Sequence, residues 1–270
     1  MKCLVINLDR SPDRLVHMTA EFNRIGTAFE RVVAVDGYSH PELEQQPQHP
    51  MYGARQLSSS EIACLHSHRA CWSIISRGDA PHGAVFEDDV VFSANAGHLL
   101  SGSGWIPADA DIVKLETYFR KTTIHRTGIP AGHGFSTFRL FKFHPGTGGY
   151  IISRQAARDL LDATEKMNFT ADDLVFNPAF SNLSSRTIYQ LAPALCAQGQ
   201  FVDSMAAGLP SLLDQERETK WASSGLATKR RRPVGERLRT ETGRILEWVA
   251  DFCKFRRRAI IPLDPPAPRD

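Results

Sequence analysis

Residues 3–37 read CLVINLDRSPDRLVHMTAEFNRIGTAFERVVAVDG, and this stretch decides the fold. Residues 3–8 form a short apolar run rich in β-formers, which predicts a buried strand. Ser11 offers an N-cap and Pro12 a first helical position. Leu15, Met18, Phe22 and Ile25 then recur at helical spacing until Gly26 closes the segment. Residues 29–35 read as a second strand ending at Asp36-Gly37. Strand, helix and strand in so short a stretch make a βαβ unit.

Further along, Ser58-Ser59-Ser60-Glu61 has the form of a capping box. It opens a helix with Ile62, Leu65, Trp72 and Ile75 on its inner face and Gly78 as the stop. Residues 83–86 (GAVF) predict a third strand that runs straight into Glu87-Asp88-Asp89, and 111–115 (DIVKL) a fourth ending at Glu116. The segment 117–135 is weakly patterned and glycine-containing, as expected of a mobile loop. A strand at 138–143 follows, then Gly146-Thr147-Gly148-Gly149, a strand at 150–152 and a helix over 154–166. Asp172-Asp173 precedes a short apolar helix starting near Leu174, and 187–191 is a last strand. This alternation predicts an α/β fold, an open and mostly parallel sheet flanked by helices on both faces. Ligands of such sheets bind outside the carboxyl ends of the strands. The clusters at 7–10, 36–37 and 87–89 should therefore face one crevice.

The 270-residue chain has 42% hydrophobic and 23% charged residues and a formal net charge of +2, so it can bury a core and is no general polyanion binder. Five cysteines without CxxC spacing argue against a disulfide framework or zinc site and suggest a reducing cytosol. The N-terminus turns charged too early for a signal peptide, so a cytoplasmic location is expected. The basic residues crowd towards the end. Lys229-Arg230-Arg231-Arg232 and Arg256-Arg257-Arg258 bracket Val234, Leu238, Ile245, Val249 and Phe252, which fall near one helical face. The expected division is a catalytic domain over 1–210 and a basic helical extension over 211–270. Such a helix suits peripheral attachment to the anionic inner face of the membrane. Packing of its apolar face on the catalytic domain is the alternative. Nucleic acid is not expected as a partner, because aromatic interleaving is sparse.

Three consecutive carboxylates at the end of an apolar strand repel one another and resist desolvation. A divalent cation supplies a reason for Glu87-Asp88-Asp89, since hard oxygen ligands suit Mg²⁺ or Mn²⁺ and such an ion bridges phosphates. A solvated acidic turn is the structural alternative. Asp9-Arg10 with Asp13-Arg14 can pair with a nucleotide phosphate, or form a salt-bridged first helical turn. Gly146-Thr147-Gly148-Gly149 permits close approach of a ligand, or is a plain tight turn. Asp172 or Asp173 can act as a general base, or cap the following helix. His66 and His68 read as helix residues, not metal ligands.

Together these segments resemble glycosyltransferase family 25, the lipopolysaccharide-type galactosyltransferases related to the collagen galactosyltransferases. The resemblance rests on Val5-Ile6-Asn7-Leu8-Asp9-Arg10 with Asp13-Arg14, then Ala34-Val35-Asp36-Gly37, then Leu57-Ser58 with Glu61-Ile62-Ala63-Cys64, His68 and Trp72. Phe86-Glu87-Asp88-Asp89-Val90, Lys114-Leu115-Glu116, residues 146–153 and Asp172-Asp173 complete it, in the family's order. It implies a GT-A-type fold, a UDP-sugar donor (most often UDP-galactose), inversion at the anomeric carbon and a glycan acceptor on lipopolysaccharide or lipooligosaccharide. It further implies that Asn7, Leu8, Arg10 and Asp36 line the nucleoside and phosphate pocket, with Arg14, Gly37, Gly148 and Gly149 around it. Glu87 and Asp88 would contact ribose or base, and Asp89 would be the direct ligand of Mn²⁺ or Mg²⁺. Asp173, or failing it Asp172 or Glu116, would be the base. The competing readings are a metal-dependent phosphoesterase or nucleotide-sugar hydrolase, and a nucleotide-sugar-binding protein without activity. The first usually needs further His or Asp ligands at other strand ends, and no histidine ends a predicted strand.

Overall fold

The structure, a computed structural model, describes residues 1–53, 55–177, 180, 186–202 and 250–265. The expected βαβ unit forms from β1 (Lys2–Asn7), α1 (Pro12–Arg24) and β2 (Glu30–Val33). β1 is buried from Cys3 to Asn7, as an unbroken apolar strand covered on both faces must be. The buried Met18 and Phe22 of α1, with Ile25 at its C-cap, mark the helical face that the spacing predicted. β1 pairs parallel with β2 on one side and with β3 (His82–Glu87) on the other, setting Asn7 beside Val33 and Ile6 beside Glu87. The three polar clusters therefore do lie along one edge.

α2 (Ser59–Arg77) starts with both bonds of its capping box: Glu61 N–H donates to Ser58 Oγ at 3.2 Å and Ser58 N–H to Glu61 Oε2 at 3.0 Å. The loop after β2 presses directly on this helix start. A Cβ on Gly37 would sit 2.5 Å from Ser60 Cα and N, backbone atoms that cannot rotate aside. Gly37→Ala should therefore destabilise the fold by about 1–3 kcal/mol, the scale of overpacking. An unchanged urea midpoint would show that loop and helix part at no cost.

Beyond β3 the chain forms β4 (Val90–Phe92), α3 (Ala96–Leu100), β5 (Ile112–Lys114), β6 (Lys121–His125), β7 (Ile129–Gly132), β8 (Phe135–Arg139), β9 (Gly149–Ser153), α4 (Arg154–Ala163), α5 (Ala171–Phe176), β10 (Ile188–Ala192), β11 (Cys196–Gln198) and β12 (Arg256–Ile260). Eight strands make one sheet in the order β2-β1-β3-β9-β5-β10-β8-β7. This is the expected α/β, GT-A-like Rossmann architecture, but its sheet is mixed where a mostly parallel one was expected. β9 inserts antiparallel between β3 and β5, and β8 and β7 continue antiparallel past β10. The apolar run of β9 is buried throughout and reads alike in either direction, so its pattern carried no orientation.

Alternate residues of the strands feed two cores, as the period of two requires. Leu4, Val85 and Ile152 pack with Trp72 of α2, Leu160 of α4 and Phe176 of α5 on one face. Val5, Phe86 and Ile151 pack with Phe22 of α1 and Leu99 of α3 on the other.

Two expectations are corrected. The presumed loop 117–135 contains β6 and β7, and Thr122, Thr123 and Ile124 are buried. Arg256–Ile260 is a strand, not part of a helical extension, and pairs antiparallel with β6 from Arg256 beside His125 to Ile260 beside Lys121. Arg256 and Arg257 lie over the rings of Phe141 and Phe138, 3.8 and 5.1 Å from their centroids, so these arginines cover aromatic surface. Thr117 Oγ donates to the Ile261 carbonyl at 2.6 Å and secures the segment beside the residues that follow β5. The predicted basic stripe from Val234 to Val249 lies outside the described residues. Among the described residues no helix is long and apolar enough to cross a membrane.

Candidate active site

Glu87, Asp88 and Asp89 occupy the turn from β3 into β4, where the chain leaves the main sheet to pair with β11. Asp88 faces α1. Asn7 Nδ2 donates to its Oδ2 and Arg14 Nη1 to its Oδ1, both at 2.7 Å, with all three side chains largely buried. Asn7 and Arg14 sit at the end of β1 and in the first turn of α1, so the short β1–α1 loop that Pro12 terminates brings them together. Arg31 extends the network, donating to Asn7 Oδ1 at 3.0 Å and to Asp9 Oδ1 at 2.6 Å. Arg10 pairs with Asp36 at 2.6 Å, half exposed at the rim. Leu8 contributes its carbonyl, which accepts from Ser11 N–H at 3.0 Å and turns the chain.

Glu87 faces the opposite side. It accepts from Thr147 Oγ at 2.5 Å and Gln198 Nε2 at 3.3 Å, and His68 Nε2 lies 3.4 Å from its Oε1. Burial acts to raise its carboxyl, but His68, Thr147 and the charge of Lys114 outweigh burial and hold it below the ordinary range. Asp89 is the reverse case. Burial, then the charge of Glu87, pushes its carboxyl well above the usual value, with Arg14 Nη1 as the counter-charge at 3.8 Å. Its Oδ1 is buried and has no hydrogen-bond partner.

Glu116 adds another carboxylate to this cluster. It is fully buried beneath the glycine loop, with Oε2 accepting from Lys114 Nζ at 3.2 Å and from Gly148 N–H at 3.0 Å, while Oε1 has no partner. Lys114 also donates to the Gly146 carbonyl and lies 4.1 Å from the centre of the Phe176 ring. A Cβ on Gly146 or Gly148 would come within 2.6 or 2.8 Å of Glu116, and one on Gly149 within 2.5 Å of Cys196 Sγ. Packing over Glu116 and β11 thus accounts for these glycines.

Burial raises Glu116 from 4.5 to about 7, against the opposing charge of Lys114. Below about pH 4.5 the group is protonated folded and unfolded alike, and no stability depends on it. Between about 4.5 and 7 the folded state alone retains the proton, so stability contributed by this group falls as pH rises through that window. Urea midpoints of wild type and Glu116→Gln across that range should show the wild type losing ground with rising pH. Parallel curves would place the ionisation elsewhere.

Asp172 and Asp173 lie in the first turn of α5, whose N-cap is Thr170, not one of the two acids. Asp173 is committed to its surroundings: its carboxylate accepts from Thr170 Oγ at 2.9 Å, Tyr52 OH at 3.3 Å and Asn177 Nδ2 at 3.0 Å. Asp172 Oδ1 accepts only from Asp173 N–H at 2.9 Å, and its other oxygen has no partner among the described residues. None of these hydrogen bonds reaches the cluster at the strand ends: direct contacts join Asn7, Arg14, the triplet, Glu116 and the glycine loop, while the two aspartates bond within α5 and to Thr170 and Tyr52.

Sequence reasoning missed several members of the site. Lys114 was the one legible signal, a charged residue inside a buried strand. Thr147 and Tyr150 lay within the quoted segment 146–153 without a role of their own, and Gln198 and Arg31 carried no signal. Cys64, His68 and Glu87 also converge, with one ligating atom from each lying within 4.8 Å of the others, which makes them a group able to hold a metal ion. His68, read as a helix residue, does lie in α2, with its ring facing Glu87. Its partners come from β3 and from one helical turn earlier.

The family model described as Glycosyltransferase family 25 (LPS biosynthesis protein) matches residues 1–175. The chain is 33% identical over 261 residues to the lacto-N-neotetraose biosynthesis glycosyltransferase LgtB of Neisseria gonorrhoeae, covering 89% of this chain and 91% of that protein. It is 32% identical over 227 residues to LgtE of the same organism, covering 79% of this chain and 81% of that one. Among solved structures it is similar to the galactosyltransferase LgtC in complex with donor and acceptor sugar analogues, at a TM-score of 0.35 and 12% identity over 88% of this chain and 99% of that one. The chain belongs to glycosyltransferase family 25.

Proposed function

We propose that this member of glycosyltransferase family 25 transfers a hexose, galactose foremost, from a UDP-sugar to a saccharide acceptor of lipopolysaccharide or lipooligosaccharide, with inversion at the anomeric carbon. The observation that carries the reading is the buried carboxylate cluster outside the strand ends, with Asp89 Oδ1 and Glu116 Oε1 left without partners. Two unpartnered oxygens in so acidic a site are unfavourable for folding alone and are the hard donors that suit Mn²⁺ or Mg²⁺. Asp89 would hold the ion, with Glu116 beside it. A divalent ion there supplies charge neutralisation to a departing diphosphate.

The chain's own residues perform the remaining tasks. Asn7 and Arg14 fix Asp88 and thereby the turn that presents Asp89. Arg10, tied to Asp36 at the rim, offers a guanidinium to a nucleotide phosphate. Direct displacement also requires a carboxylate to take the proton of the acceptor hydroxyl. Asp172 suits this better than Asp173, because one of its oxygens is uncommitted. Asp172→Asn should lower kcat by at least about 100-fold, within the range of general-base catalysis, and Asp173→Asn much less. The reverse order would return the role to Asp173.

UDP release from a panel of UDP-sugars, with Mn²⁺ and with or without a galactosylation acceptor, tests the whole reading. Fast release only with acceptor is expected; equal release without it would identify a hydrolase. We place the reaction in the cytoplasm, with the basic segment around Lys229-Arg230-Arg231-Arg232 meeting the anionic inner leaflet. Flotation with anionic but not neutral liposomes is the outcome this requires.

A further inference from the structure

Tyr150 stands in β9 with no exposure, and its hydroxyl meets Trp72 Nε1 at 2.8 Å and His68 Nδ1 at 2.9 Å. An indole N–H only donates, so the phenolic oxygen accepts from Trp72. A buried hydroxyl needs an acceptor for its own hydrogen as well. Among the described residues His68 Nδ1 is the acceptor within reach. Burial pushes the Tyr150 phenol well above its ordinary range, so that hydrogen stays in place. Nδ1 of His68 must then present a lone pair, and the ring carries its proton on Nε2. Nε2 is buried without a hydrogen-bond partner, and Glu87 Oε1 faces it across 3.4 Å, slightly beyond the length of a formed bond.

We propose that His68 is a positioning residue: Trp72 and Tyr150 lock its Nε2–H tautomer, and that N–H directs Glu87, which in turn ties Thr147 of the glycine loop and Gln198 of β11 to the turn presenting Asp89. The tautomer follows from hydrogen-bond geometry alone, whereas its effect on turnover rests on the function proposed above. The same tautomer leaves no lone pair on Nε2, so His68 does not join Cys64 and Glu87 around a metal ion in this state.

Long-range ¹H–¹⁵N spectra of the full-length protein, with His68→Gln used for assignment, read the tautomer directly. The wild type should show a protonated Nε2 and a bare Nδ1, and Tyr150→Phe should lose that preference. A protonated Nδ1 in the wild type overturns the proposal. So does displacement of the His68 ring signals by one equivalent of Zn²⁺. In kinetics, His68→Leu should lower kcat/KM for the UDP-sugar at least about tenfold, because it removes the N–H that faces the Glu87 carboxylate and tightens on it when the donor binds. His68→Gln, which keeps an N–H near the Nε2 position, should recover most of it. Both variants lose the bond to Tyr150, so their difference reports the N–H facing Glu87, and it should vanish in a Glu87→Gln background. Equal losses in Leu and Gln would reduce His68 to core packing and overturn the positioning role. A wild type inactive on every UDP-sugar would instead overturn the transferase reading, and the spectra would still decide the tautomer.

Discussion

Asp89→Asn is expected to lower Mn²⁺-dependent UDP release by at least about 100-fold, the scale seen when developing charge in a transition state goes unsupported. Asp89 is 4% exposed, its Oδ1 has no partner, and burial followed by Glu87 raises its carboxyl. The fold's own electrostatics thus disfavour the ionised carboxylate in the absence of a cation. Replacing it by an isosteric amide removes a buried charge that the protein alone compensates poorly, so thermal stability in the absence of metal should be unchanged or higher. A loss of turnover together with an undiminished melting temperature separates this from simple unfolding. Asp89→Ala should lose as much turnover. If either variant matches the wild type, the cation is not held at Asp89.

Arg14→Met should have the largest effect on stability, about 3–5 kcal/mol, because it removes one partner of a buried pair and leaves the other uncompensated. The Arg14 and Asp88 side chains are each 10% exposed, and the guanidinium also faces Asp89 at 3.8 Å. Burial works against the Arg14 charge, but Asp89 and Asp88 together raise its pKa above the ordinary value. Urea unfolding measures the loss. The double variant Arg14→Met with Asp88→Asn should recover part of it, since Asp88 no longer carries a charge that needs pairing. A single-variant cost below about 1 kcal/mol would equate the pair with an exposed salt bridge and refute its structural role.

Much of the site was legible because it lies at the ends of strongly patterned strands. β1 and β3 are short, apolar and followed by polar residues, and the chain runs on from β2 to Asp36, so the crevice at their carboxyl ends followed from alternation alone. The capping box of α2 was equally plain, four consecutive residues whose bonds are local. Glu116 was singled out, but not its burial with Lys114 beneath the glycine loop. The helix read as starting near Leu174 begins at Ala171 instead, so Thr170 is its N-cap and Asp172 and Asp173 fall in its first turn. The β6–β12 pair was invisible: arginines in sequence look like solvated charge, and aromatic rings on β8 and just beyond it are what they cover.

The order of residues along this chain determined the α/β class, the βαβ start, the acidic strand end and the family. These depend on periods of two and 3.6 and on local caps, which a chain carries in its own pattern. Tertiary structure alone decided that β9 runs antiparallel, that Glu87 and Asp88 turn to opposite sides, and that His68 reaches Glu87 under the control of Tyr150. Hydrophobic period records which face is buried but not strand direction or partner. A hydrogen bond between residues 82 positions apart, such as His68 with Tyr150, exists only once the core has closed around both.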